Sequence, residues 1–142
     1  MPDSRIRGKK RDAVFAAADF RCEYCQTPIE STIQPFVIEH IIPVILGGKS
    51  SMDNLACACG GCNEHKYNKL EATDPAENLR SPLFNPRTDL SDTHFTWNID
   101  FTQVIGITAI GRATVAALQL NRTGLVNIRR LLVLGGEHPP NR

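Results

Sequence analysis

The sequence predicts an α+β fold stapled by a four-cysteine metal site, and three observations predict it. Four of the five cysteines fall in two tight pairs, Cys22-x-x-Cys25 and Cys59-x-x-Cys62, with 33 residues between the pairs. A strand-like run, Phe36 to Ile41, lies between them and is rich in β-branched and aromatic residues. Beyond the second pair the pattern changes to an alternating hairpin signal followed by two helical stretches.

Each element has its own signal. A basic start leads into a helix near Lys10–Asp19, where Val14, Phe15 and Ala18 share a face. The first cysteine pair forms a knuckle, and Gln26 to Gln34 reads as loop. The strand from Phe36 ends at Pro43, which has no N–H for a ladder. Gly47-Gly48-Lys49-Ser50-Ser51 is a loop, and Asn54 to Ala58 reads as a short second strand. The glycines of Cys59-Gly60-Gly61-Cys62 permit a second knuckle. A short helix is expected from Asn63 to about Glu71, stopped by Asp74-Pro75 because the residue before proline is pushed out of the helical region. Ser81 to Arg87 is a proline-punctuated connector. Phe95, Trp97 and Ile99 alternate with polar residues, and Gln103 to Ile107 is their expected partner strand. Helices are expected over Gly111–Leu120 and Gly124–Leu134, the second stopped by Gly135-Gly136. This order divides the chain into residues 1–75, with a basic arm, and an α+β extension, residues 76–142, packed on the first half.

Composition narrows the class. The 142 residues are 42% apolar and 22% charged, ordinary values for a soluble globular chain. No apolar run approaches the ~20 residues that span a bilayer. The basic N-terminus leads into no uninterrupted apolar stretch, so no secretory signal is read and a cytoplasmic location is expected. Five thiols without an export signal read as a metal site before a disulfide framework. The net charge of +1 hides a distribution: residues 1–11 carry +4, residues 101–142 carry +4, and the middle carries −7. Basic ends around an acidic centre suit a phosphate-handling protein.

Each Cys-x-x-Cys can present two sulfurs on one edge of a tetrahedron, and two such pairs make a closed structural zinc site with no open position for chemistry. A thiol oxidoreductase would carry one pair, so that reading is disfavoured. Cys57 is expected to be a small core residue.

Three polar positions remain inside the stapled unit: Glu39-His40, Asn54 and Asn63. In order, Cys22-Glu23-Tyr24-Cys25, Glu39-His40-Ile41-Ile42-Pro43, Gly47-Gly48, Asn54-Leu55 and Cys59-x-x-Cys62-Asn63-x-x-Lys66 resemble the HNH endonuclease family, the ββα-metal or His-Me finger group. The motif covers roughly residues 20–70. The resemblance implies a metal-dependent endonuclease that hydrolyses phosphodiester bonds in DNA and leaves 5′-phosphate and 3′-hydroxyl ends. It implies that Glu39, glutamate where aspartate is commoner, binds the catalytic metal, and that Asn54 restrains the loop and orients His40. It places Asn63 where the family often has histidine.

The chemistry of the residue types runs alongside. A neutral imidazole at His40 can take a proton from water at pH 7. A carboxylate and an amide carbonyl are hard donors, so a Glu39/Asn63 site should prefer Mg²⁺ or Mn²⁺. On a regular strand Glu39 and His40 face opposite sides, so a shared site needs a twist or bulge there. His65 lies about 200° round the helix from Asn63 and is a poor rival for its place.

Phosphate contacts are expected from Lys66, Arg87 and Arg112, with the basic arm, Arg122, Arg129 and Arg130 as further candidates. Phe95 and Trp97 are expected in the core. The competing reading is a zinc-stapled nucleic-acid-binding module without catalysis. Oligomeric state, substrate structure and biological role stay open.

Overall fold

The computed structural model describes residues 6–140. Part of the expected basic arm, including Arg5, and the terminal Arg142 lie outside the described residues. The elements are α1 (Gly8–Ala17), β1 (Phe36–His40), β2 (Leu55–Cys59), α2 (Gly60–Lys66), β3 (Glu71–Asp74), β4 (Leu79–Pro82), α3 (Ser91–His94), β5 (Phe95–Trp97), β6 (Val104–Gly106), α4 (Ala109–Leu118) and α5 (Thr123–Leu134). The strands form three separate two-stranded antiparallel sheets, β1–β2, β3–β4 and β5–β6. Mixed α and β structure on a cluster of four cysteines is the expected class.

The β1–β2 pair is the frame of the first half. Its register runs unbroken from Phe36 opposite Cys59 to His40 opposite Leu55, which places Glu39 opposite Ala56. Every residue of β2 is buried, which suits its small side chains, Ala56, Cys57 and Ala58. The first knuckle folds onto this frame through the Glu23 N–H, which donates to the Cys57 carbonyl at 2.9 Å.

The second knuckle runs straight into α2. Cys59 is the last strand residue and also the helix cap: its sulfur accepts from the Cys62 N–H at 3.4 Å. The helix therefore starts three residues earlier than Asn63 and ends at Tyr67, whose φ of +50° leaves the helical region. The expected continuation to Glu71 is corrected. Residues 71–74 are instead a strand paired with Leu79–Pro82. Asp74-Pro75, read as a helix stop, opens the hairpin turn, closed by the Asn78 N–H donating to the Asp74 carbonyl at 2.8 Å. The division at residues 75/76 falls in this turn.

One cluster of buried residues draws on both halves, from Tyr24, Ile38 and Leu55 to Phe84, Ala113, Leu118 and Leu120. Phe84 is its aromatic centre, edge-on to Tyr24, His94 and Phe95 with centroids 5.2–6.5 Å away. Phe95 and Trp97 are half-buried against the same cluster. Polar ties join the halves as well: Thr114 Oγ1 accepts from the Phe84 N–H at 2.8 Å, and Arg112 grips Asp74 with two bonds of 2.8 and 2.9 Å. Among the described residues no helix is long and apolar enough to cross a membrane.

Candidate metal centre and adjoining polar corner

The four thiols converge. The sulfurs of Cys22, Cys25, Cys59 and Cys62 all lie within 4.8 Å of one another, and all four residues are buried. The Cys25–Cys59 separation is 3.7 Å, close to the edge of about 3.8 Å that a tetrahedron with Zn–S near 2.3 Å requires. Backbone N–H groups of Cys25 and Cys62 point at the sulfurs of Cys22 and Cys59, at 3.5 and 3.4 Å. Hydrogen bonds from the other three thiols hold Cys59 well below the ordinary thiol range. The donor set and its size fit a structural zinc ion. Cys57 stands outside the cluster in the core, where burial pushes its thiol up to about 12, so it stays protonated.

The polar corner begins where β1 ends. Asn54 binds the loop between the strands at three points. Its Oδ1 accepts from the Ile42 N–H at 2.8 Å, and its Nδ2 donates to the carbonyls of Ile42 at 3.0 Å and Lys49 at 2.8 Å. Its own carbonyl accepts from the Ile41 N–H at 2.9 Å. Gly48 is required for this closure: a Cβ there would lie 1.7 Å from the Ile42 carbonyl oxygen and 2.9 Å from Asn54 Nδ2. The loop so fastened carries Ser50, whose Oγ lies 2.9 Å from His40 Nε2. His40 is 3% exposed. Lys10 of α1 donates to the Ser50 carbonyl, so the basic helix sits beside this corner.

Glu39 takes a different set of partners. Its carboxylate is 2% exposed and accepts from the Tyr24 hydroxyl at 2.7 and 3.1 Å. Lys66 Nζ lies 3.1 Å from the same Oε1 and donates to the Ile41 carbonyl at 2.9 Å. Burial pushes the Glu39 carboxyl up from its ordinary range, while the Lys66 ammonium and the Tyr24 hydroxyl pull it back. The bulge that would turn Glu39 and His40 toward one point is absent, since the register is regular through both. Asn63, half-buried on α2, makes no hydrogen bond with Glu39 among the described residues. Oε1 of Glu39, an oxygen expected to take a divalent cation, is held here by the Lys66 ammonium and the Tyr24 hydroxyl.

The expected phosphate contacts also have internal partners. Lys66 is 2% exposed, so its ammonium cannot meet a backbone from outside. Arg87 is paired with Glu23 and donates to the Leu55 carbonyl at 3.1 Å. Arg112 is committed to Asp74. Arg129 is 1% exposed and donates to the carbonyls of Thr102 at 3.1 Å and Cys25 at 3.4 Å. Exposed cations beside the corner are Lys10 and Lys49. The sequence reading gives Ser50 no role and Tyr24 none beyond its place in the first knuckle. Tyr24 had a readable signal, a lone aromatic between two ligands, whereas a serine in a glycine loop carries none.

Fold and site together define a four-cysteine knuckle unit built on a β-hairpin and a short helix. Residues 22–69 match the family model described as HNH endonuclease. No curated protein and no solved structure matches the chain.

Proposed function

We propose that the protein is an HNH nuclease that hydrolyses phosphodiester bonds in DNA, with His40 as the base that activates water. The observation that carries this reading is the fastened corner inside the HNH segment. Asn54 and Gly48 hold the loop so that the His40 Nε2 meets a hydroxyl oxygen at 2.9 Å. A water at the distance of that oxygen would be within reach of the imidazole as a base, which supports this reading. For the reaction, Ser50 must yield its place to that water, and the loop from Gly47 to Ser51 must move aside for a phosphate. Lys10 and Lys49, both exposed, supply positive charge at the same edge, which suits a polyanion. The four cysteines would hold zinc as a rigid base for both strands and the helix.

The Mg²⁺ or Mn²⁺ that the resemblance implies would supply charge stabilisation at the phosphate. Glu39 and Asn63 could take it up only after Lys66 parts from Glu39.

The test is a plasmid-nicking assay on zinc-loaded protein with Mg²⁺, Mn²⁺ or EDTA, run beside His40→Ala. Nicking that falls by roughly a hundredfold or more in the variant, at unchanged zinc content, is the expected result. Equal nicking by both proteins rejects the assignment. The second reading, a binding module without cleavage, is favoured by the burial of His40 and by the Lys66–Glu39 pair. It predicts salt-sensitive DNA binding with no nicking under any metal.

A further inference from the structure

The C-terminal half supplies a residue to the thiolate cluster that neither the HNH segment nor the expected phosphate contacts explain. Arg122 lies between α4 and α5, and its Nη2 reaches the sulfurs of Cys62 at 3.5 Å and Cys59 at 3.6 Å. The other arm of the guanidinium, Nη1, donates to the carbonyls of Leu118 at 3.1 Å and Gln119 at 3.2 Å. These are end carbonyls of α4, where a cation is favoured by the helix dipole. The fork is therefore fixed on one side by a helix end and aimed on the other at two sulfurs.

A separate observation points the same way. Gly61, between the two ligands of the second knuckle, faces the guanidinium. A Cβ there would stand 2.6 Å from Nη2 and 3.2 Å from Cζ. Alanine would favour the helix by about 1 kcal/mol over glycine. The glycine leaves the space that Arg122 fills.

The charge balance gives the contact its purpose. Zinc bound by four thiolates carries a net charge of −2, buried in protein. Arg122 brings a positive charge and two N–H···S contacts, and Arg129 places a second guanidinium against the Cys25 carbonyl. Outer partners of this kind orient metal ligands and are costly to lose.

We propose that Arg122 is an outer partner of the zinc centre: seated in the space left by Gly61, it balances the charge of Cys59 and Cys62 and slows release of the metal. The inference rests on the zinc reading of the four cysteines. It gives the C-terminal half a role in completing the metal centre.

The test measures zinc transfer from the full-length protein to an excess of a chromogenic chelator, after metal content has been determined. Arg122→Ala and Gly61→Ala should both release zinc about tenfold faster or more, the usual range for such partners. Gly61→Ala keeps the arginine and favours the helix, but displaces the guanidinium, so it serves even if Arg122→Ala folds poorly. Arg122→Lys should fall between, since an ammonium keeps the charge and loses the fork. Arg80→Ala, at an exposed arginine on β4, should match wild type. Release at the wild-type rate in Gly61→Ala overturns the proposal, whether or not Arg122→Ala is faster, because the effect would then come from helix packing. Wild-type protein without stoichiometric zinc removes the zinc reading itself, a result the metal analysis distinguishes from unaltered release.

Discussion

Lys66 places its ammonium in the protein interior, 2% exposed to solvent. In the fold it is sealed between Glu39 and the Ile41 carbonyl. Breaking a buried pair leaves an uncompensated charge, so Lys66→Met should destabilise the protein by about 3–5 kcal/mol. Adding Glu39→Gln should recover part of that loss, and a double-mutant cycle in urea checks the coupling. Additive effects would show that the pair does not interact. The clustering of the four cysteines was legible because two Cys-x-x-Cys pairs follow from covalent reach, whereas His40 and Asn54 stood out only through the family resemblance. The partner of Glu39 was not legible, because a lysine 27 positions later carries no mark of burial. The same holds for Arg122, read as a phosphate contact and found on the thiols.

At the scale of elements, the β3–β4 hairpin is the feature the sequence concealed. Glu71-Ala72-Thr73-Asp74 has neither a clear alternation nor a β-branched run, and only four residues separate it from the end of α2. What settles it is tertiary: Asp74 is clamped by Arg112 from α4, and the Leu83 N–H donates to the Leu70 carbonyl at 3.0 Å. The hydrogen bonds from Arg112 pull the Asp74 carboxyl from its ordinary 3.8 to about 2. A carboxyl held lower in the folded chain than in the unfolded one binds fewer protons when folded. Its contribution is therefore complete above about pH 4 and is lost as the pH falls toward 2. Asp74→Asn should remove this dependence, leaving a flatter stability curve between pH 4 and 2, measured by urea titration at fixed pH values. An unchanged slope would show that the clamp carries no linkage.

For the whole molecule, the metal centre is where the halves meet. The four cysteines belong to the same buried cluster as Leu118, Leu120 and Leu125 of the C-terminal helices and their junction. Metal removal should therefore unfold more than the knuckles. Chelation under mild denaturant should abolish the cooperative transition of the entire chain, with helix content falling in step with near-ultraviolet signal, and zinc should restore both. Retention of α4 and α5 in metal-free protein would contradict this. The α+β class was readable because two cysteine pairs around a strand leave few arrangements, whereas the docking of residues 76–142 depends on contacts that only a folded surface defines.

Cys59 has three duties at once: it closes β2, binds at the centre and caps α2. Length in this stretch is consequently as constrained as identity. One residue gained or lost between Leu55 and Cys59 would turn the sulfur to the opposite face of the strand and shift the helix start with it. An insertion in the exposed turn near Ile45 would disturb neither, so evolutionary drift in chain length should collect there.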